Sequence, residues 1–212
     1  MQIRLNQIIP FPLQDMNHEK SAIWGRDFSF ELGKSYGIFA PSGTGKTSLI
    51  SILYGLRNDF NGSFFIGNDS SDSLKTADWI NLRRNQLSLC PQGLWLFDDL
   101  NALENIQLKN ALTQHKSENE IQSMLQKAGM TSHQHKKAGI LSYGQKQRIA
   151  IIRALSQPFK FILLDEAFSH LDEENKLIMW DMIQNEAKQQ SSGIILTSLG
   201  GETLHSDISI SL

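Results

Sequence analysis

One run constrains this chain more than any other: SYGIFAPSGTGKTSLISILYG, residues 35–55. An apolar strand ends in a glycine-bearing turn, and the turn opens into an apolar helix. Gly43 and Gly45 carry no Cβ, so backbone N–H groups of the turn can approach an anion closely. Lys46 adds a charge suited to the β- and γ-phosphates of a nucleotide, and Thr47 a hydroxyl suited to Mg2+. The helix that follows aims its positive end at the same point. The candidate nucleotide-binding residues are therefore Ala40, Pro41, Ser42, Gly43, Thr44, Gly45, Lys46, Thr47 and Ser48. The pattern departs from GxxxxGK[ST] at its first glycine, where Ala40 stands. If that position required positive φ, alanine would cost about 1 kcal/mol, a loss such a loop survives. By composition alone, a small residue five positions before such a Gly-Lys-Thr arises in roughly one or two chains per hundred of this length. The strand-then-helix setting leaves an incidental lysine on a glycine turn as the weaker reading.

The run FILLDEAFSHLD, residues 161–172, supplies what that loop lacks. Its apolar strand ends in Asp165, and α/β proteins bind ligands at the carboxyl ends of their strands. Asp165 suits Mg2+ jointly with Thr47, through the metal's water shell. Glu166 beside it is suited to polarise a water for attack on a γ-phosphate. Without the glycine loop, the same segment reads as a strand ending in a solvated acidic turn. Asp172 also reads as the N-cap of a helix beginning at Glu173.

Periodicity predicts apolar strands at 28–32, 35–40, 63–66, 86–90, 161–165, 193–197 and 208–212, and helices at 45–54, 101–112, 117–128, 144–156 and 173–190. Their alternation predicts an α/β core with a largely parallel sheet. Residues 94–140 carry helical patterns without a strand and predict a helical insertion in one domain spanning 1–212. The strand-rich first 35 residues predict a small antiparallel layer. Residues 68–73, NDSSDS, and 133–137, HQHKK, read as solvated loops; no carboxylate or cysteine flanks the second to complete a metal site.

The chain has 212 residues, 40% of them hydrophobic and 20% charged, with a formal net charge of −2. That balance provides no basic footprint, so nucleic acid is not expected as a partner. A lone cysteine, Cys90, excludes an internal disulfide and suits a reducing compartment. The N-terminus has no apolar core of a secretion signal, and no segment approaches about 18 consecutive apolar residues. A soluble, cytoplasmic chain is expected, with any membrane role exercised through partners.

LSYGQKQRIAIIRAL, residues 141–155, has an ordinary buried-helix pattern in its second half and a polar, glycine-bearing start. Ser142 and Gln145 have the spacing of a capping box. An unblocked helix N-terminus with a hydroxyl is also an anion receptor. From these residues alone both readings stand.

In this order and spacing the segments resemble the ATP-binding cassette ATPases, the nucleotide-binding subunits of ABC transporters, over roughly residues 20–212. Residues 40–47 resemble the family's Walker A loop, and 161–166 its Walker B strand with the catalytic glutamate. Gln92, in LCPQGLWLF, is similar to the Q-loop glutamine that contacts Mg2+ and the attacking water. LSYGQ at 141–145 resembles the signature LSGGQ, with Tyr143 in place of the first glycine, and SHLD at 169–172 resembles the D-loop. The resemblance implies ATP and Mg2+ as cofactors and an ATPase with Glu166, Gln92 and Ser198 at the catalytic positions. It implies Thr47, Gln92 and Asp165 around the metal, and Ser142, Gly144 and Gln145 against the γ-phosphate held by a second cassette subunit. Capping then becomes a concurrent duty of Ser142.

Two further positions depart from the family. The aromatic residue that stacks on adenine has no clear counterpart; the matching region is 17–19, where His18 is the only ring, and Trp24 fits the core better. After the strand at 193–197 the family has a histidine on the γ-phosphate, and here Ser198 stands; His170 and His205 are out of register. The preferred reading is an ATPase that dimerises around ATP and drives separately encoded membrane subunits, peripheral to the inner face of the membrane. The chain's ending at Leu212 predicts no regulatory extension, and 94–108 is most similar to the lipoprotein-release, macrolide-export and cell-division branch. The alternative is a non-transport clamp or signalling subunit of the division type. Slow hydrolysis, because of Ser198, is compatible with either. Trp95, Leu96 and Phe97 read equally as core packing and as a groove for a membrane partner's helix.

Overall fold

Strands β1 (Gln2–Pro10), β2 (Asp27–Glu31), β4 (Phe60–Ile66) and β5 (Asp69–Ser70) form an antiparallel sheet in the order β2-β1-β4-β5. Strands β3 (Ser35–Phe39), β6 (Leu87–Cys90), β7 (Phe161–Asp165), β8 (Gly193–Ser198) and β9 (Ile208–Ser211) form a parallel sheet in the order β6-β7-β8-β3-β9. The helices are α1 (Lys46–Leu53), α2 (Thr76–Asn85), α3 (Ala102–Asn110), α4 (Glu118–Lys127), α5 (Tyr143–Leu155) and α6 (Glu173–Gln189). This computed structural model describes residues 1–199 and 206–212.

Two hydrophobic cores flank the parallel sheet, and β7 divides its side chains between them. Phe161 and Leu163 pack into the core shared with β1, β4 and α1, whereas Ile162 and Leu164 pack into the core shared with α5 and α6. All four are fully buried, which is why the strand reads as an unbroken apolar run rather than an alternating one. β8 repeats the division, with Ile195 on the first side and Ile194 and Leu196 on the second.

The antiparallel layer is larger than the first 35 residues alone predict, because β4 and β5 pair into it. Residues 68–73 are not wholly loop: Asp69–Ser70 pairs with β4, and a 3-10 turn follows at Ser71–Ser73. Helix α2 has no counterpart among the expected elements. It buries only Leu82 below a tenth exposed and leaves Ile80 in solvent, too little apolar patterning to announce a helix. Between β6 and α5 the chain is helical, with α3 and α4 set on α5. Asn101 and Ser117 cap these two helices in capping boxes, Ser117 with Glu120 three residues on. Lys116 ties the start of α4 to α6 through Glu186 at 2.7 Å; both side chains are buried, so each charge needs the other.

Candidate nucleotide site

Because the sheet is parallel, the carboxyl ends of β3, β6, β7 and β8 emerge at one edge, and each leads into a segment that the sequence marks for chemistry. After β3 come residues 40–47, after β6 comes Gln92, after β7 comes Glu166, and β8 ends in Ser198.

The loop from β3 to α1 takes positive φ at Gly43 and Gly45, at 84° and 100°, where only glycine sits without strain. At Gly45 a side chain would also collide: its Cβ would lie 2.5 Å from Leu13 Cδ1 and 3.0 Å from Trp24 Cζ2. Ala40 is not among the positive-φ residues, so the alanine that departs from the glycine pattern carries no backbone penalty. Trp24 is a core residue, as expected, and its Nε1 donates to Thr44 O at 3.0 Å, bracing the loop from below. Ser42, Gly43 and Thr47 face solvent. The Ser48 hydroxyl accepts from Arg57 Nη1 at 2.8 Å, a partner its sequence position does not announce.

Lys46 is buried. Its ammonium donates to Ala40 O at 2.7 Å and Pro41 O at 2.9 Å, and pairs with Glu166 Oε1 at 3.5 Å. The other carboxylate oxygen of Glu166 accepts from Gln92 Nε2 at 2.9 Å, while Gln92 Oε1 accepts from Thr47 Oγ1 at 3.5 Å. One glutamine thus spans the distance between the Thr47 hydroxyl and the candidate catalytic carboxylate. Glu166 holds positive φ, at 50°, a sparsely populated conformation for a residue with a Cβ and a mark of functional sites.

Asp165 is buried, and its Oδ1 accepts from Thr197 Oγ1 at 2.7 Å. A cavity of about 160 Å³ is lined by Thr47, Gln92 and Asp165 together. These are three oxygen donors of the kind a hard cation takes, so the residues fit Mg2+ completing its shell with water and phosphate. No cluster of three His, Cys, Asp or Glu residues that would form a protein-only metal site exists among the described residues.

Ser142 caps α5: its hydroxyl accepts from Gln145 N at 3.3 Å, and Gln145 Oε1 accepts from Ser142 N at 3.0 Å. Gly144 faces the loop after β7, where a Cβ would lie 2.9 Å from His170 O. Asp172 caps α6 through Asn175 N at 2.8 Å, and that N–H holds its carboxyl below the usual carboxylate range.

Several contributors escape sequence reasoning. Thr197 orients Asp165. Gln147, buried on α5, donates to Ser169 Oγ at 3.0 Å and accepts from His170 N at 3.1 Å. Asn105 and Arg153 hold the segment after Gln92, Asn105 through Phe97 N and O and Arg153 through Leu94 O and Trp95 O. Leu96 packs on the core, whereas Trp95 and Phe97 are each 55% exposed. His18 bonds Leu13 O through its ring at 2.6 Å. Ser198 ends β8 opposite Phe39, and its carbonyl accepts from Ala40 N at 3.4 Å; His205 lies outside the described residues.

A parallel sheet with a glycine loop, lysine and hydroxyl at one strand end and Asp-Glu at another defines a P-loop nucleotide-binding ATPase fold. Residues 25–169 match the family described as ABC transporter, and the chain belongs to that family of ATP-hydrolysing cassettes. It is 28% identical over 177 residues to the lipoprotein-releasing system ATP-binding protein LolD of Legionella pneumophila (strain Lens), covering 82% of this chain and 78% of that one. It is 34% identical over 166 residues to the spermidine/putrescine import ATP-binding protein PotA of Fusobacterium nucleatum, covering 76% and 43%. Against the glucosylceramide transporter ABCA12 of Mus musculus it is 29% identical over 185 residues and spans 84% of this chain but only 7% of that protein. The fold is similar to that of a dimeric bacterial ABC transporter cassette, MJ0796, with a TM-score of 0.77 and 24% identity over 92% of this chain and 87% of that one. A post-hydrolysis dimer of MJ0796 bound to ADP and Pi gives 0.78 at the same identity and coverage.

Proposed function

We propose that this chain is the ATP-binding and hydrolysing subunit of an ABC transporter, dimerising head to tail around ATP to drive separately encoded membrane subunits. The observation that carries the reading is the Thr47–Gln92–Glu166–Lys46 chain of contacts across three strand ends. Lys46 and the N–H groups of the glycine loop would take the β- and γ-phosphates, a better match for the ammonium than two neutral carbonyls. Glu166 would accept the proton of an attacking water, with Gln92 fixing the carboxylate. Mg2+, held by Thr47 and Gln92 and by Asp165 through water, would supply charge neutralisation at the phosphates. Ser142, Gly144 and Gln145 would receive the γ-phosphate of the partner subunit, Ser142 capping and donating at once.

Residues 94–140 would act as the helical subdomain of one cassette domain spanning 1–212. The exposed rings of Trp95 and Phe97, on a backbone pinned by Arg153 and Asn105, fit a docking face for a membrane partner. Among the described residues no helix is long and apolar enough to cross a membrane, which favours attachment through such a partner. Phe11, half-exposed at the end of β1 and two residues from the Leu13 that abuts Gly45, is a better candidate for the adenine contact than His18, whose ring is occupied by Leu13 O. The relatives are named for three different cargoes, which fits cargo choice by the membrane subunits.

The test is ATP-driven dimerisation of the Glu166→Gln protein by size exclusion, together with thermal melts. Wild type at about 100-fold excess of Mg-ATP over its dissociation constant should gain roughly 2.7 kcal/mol, and Lys46→Ala should gain almost nothing. Equal ATP-induced shifts in both proteins would exclude the nucleotide site.

A further inference from the structure

Tyr143 stands where the family signature has glycine, and its side chain is not idle. The hydroxyl donates to the backbone carbonyl of Gln92 at 3.0 Å. The ring packs on that of His170, with centroids 4.3 Å apart and planes tilted by 51°. Gln92 follows β6 and His170 follows β7, so one side chain at the first turn of α5 touches both loops that flank Glu166. A glycine at this position would make neither contact.

Each loop is tied onward to the candidate chemistry. The Gln92 carboxamide reaches Thr47 and Glu166. His170 is fixed through its own N–H to Gln147 Oε1, and Gln147 also bonds Ser169. Ser142 and Gly144 flank Tyr143 directly, and in the proposed dimer they face the nucleotide of the partner subunit. The residue between two anion-facing groups therefore grips the backbone of the glutamine that orients this subunit's own carboxylate.

We propose, resting on the dimeric ATPase reading above, that Tyr143 is a positioning residue. Through its hydroxyl it holds the Gln92 backbone so that the carboxamide stays on Glu166, and it makes seating of the partner's γ-phosphate at α5 felt at this subunit's own catalytic centre. Tyr143 touches no reacting atom. The effect of the hydroxyl passes through Gln92, because it bonds a main-chain oxygen and leaves the Gln92 side chain free to act. A misplacement of a positioning group by about 1 Å can reduce rate substantially without loosening substrate binding.

The experiment is a double-mutant cycle on steady-state phosphate release with Mg-ATP. Tyr143→Phe keeps the ring on His170 and removes only the hydroxyl, at a side chain 44% exposed, so folding is unaffected. We expect kcat to fall about threefold to tenfold with KM changed less than twofold. In a Gln92→Ala background, which keeps the carbonyl but removes the carboxamide, Tyr143→Phe should cost nothing further, since the two act as a unit. A Tyr143→Phe protein with kcat at or above wild type overturns the proposal, as does an equal loss in both backgrounds. ATP-driven dimerisation of Glu166→Gln, run alongside, separates the two readings. If it occurs while Tyr143→Phe is neutral, only the role of Tyr143 falls; if neither dimerisation nor hydrolysis occurs, the dimeric reading falls and this one with it.

Discussion

Thr197 Oγ1 donates to Asp165 Oδ1 across the parallel pair of β7 and β8, at 2.7 Å, with both residues buried and directly in register. The same hydroxyl oxygen accepts from Glu166 N at 3.2 Å. One threonine thus orients the aspartate proposed for the metal's water shell and ties down the backbone that turns Glu166 into positive φ. Thr197→Val keeps the shape and leaves a buried carboxylate oxygen and an N–H less well satisfied. It should lower stability by about 1–3 kcal/mol in denaturant titrations and raise the Mg2+ concentration needed for half-maximal hydrolysis. An unchanged Mg2+ requirement would remove Thr197 from the site.

Gly144 separates two effects that its sequence position conflates. In cis, any Cβ meets His170 O at 2.9 Å; in trans, the proposed neighbour is the partner's γ-phosphate. Gly144→Ala should bear only the steric term, a loss of about 1–3 kcal/mol with ATP binding intact. Gly144→Asp should in addition abolish ATP-driven dimerisation in the Glu166→Gln background, by setting a carboxylate against the phosphate. Dimerisation of that doubly substituted protein on Mg-ATP would show the signature reading to be wrong.

Ser198 is expected to make intrinsic hydrolysis slow while leaving ATP affinity nearly unchanged. Its hydroxyl is shorter than an imidazole and cannot engage Glu166 and a γ-phosphate together. A positioning group of that kind is worth about 10²-fold in rate, about 2.7 kcal/mol. Ser198→His should raise kcat by up to that factor in phosphate-release assays at saturating Mg-ATP. Fast wild-type turnover with no gain from histidine would mean that another group already fills the role.

Cys90, at the end of β6, is fully buried, and loss of hydration pushes its thiol up to about 12. The native protein should therefore resist iodoacetamide at pH 8, and modification should track unfolding. Between the ordinary thiol value of 9.0 and about 12 the unfolded chain ionises while the folded one does not, so this contribution to stability is intact below pH 9 and lost as pH rises through that window. A Cys90→Ala protein should lose its share of that alkaline slope, read as melting temperature against pH.

What the sequence by itself determined is local. The glycines of the loop after β3, the capping pairs at Ser117 and Ser142, the Asp172 cap and the buried runs of β7 and β8 are all specified by residues within a few positions of one another. Backbone conformation and helix termination depend on neighbours at that range. The match between 161–165 as expected and β7 as observed has this origin, as does the failure at α2, whose neighbourhood carries too few apolar residues. The tertiary structure alone decided which ends meet. Apolar burial is non-directional and says only that strands lie inside; parallel pairing and register bring Asp165 opposite Thr197. Gln92 and Glu166 are 74 positions apart, and Tyr143 and Gln92 are 51 apart. No local pattern encodes those contacts. They exist because the parallel sheet gathers its strand ends at one edge and the packing of α5 brings Tyr143 onto them.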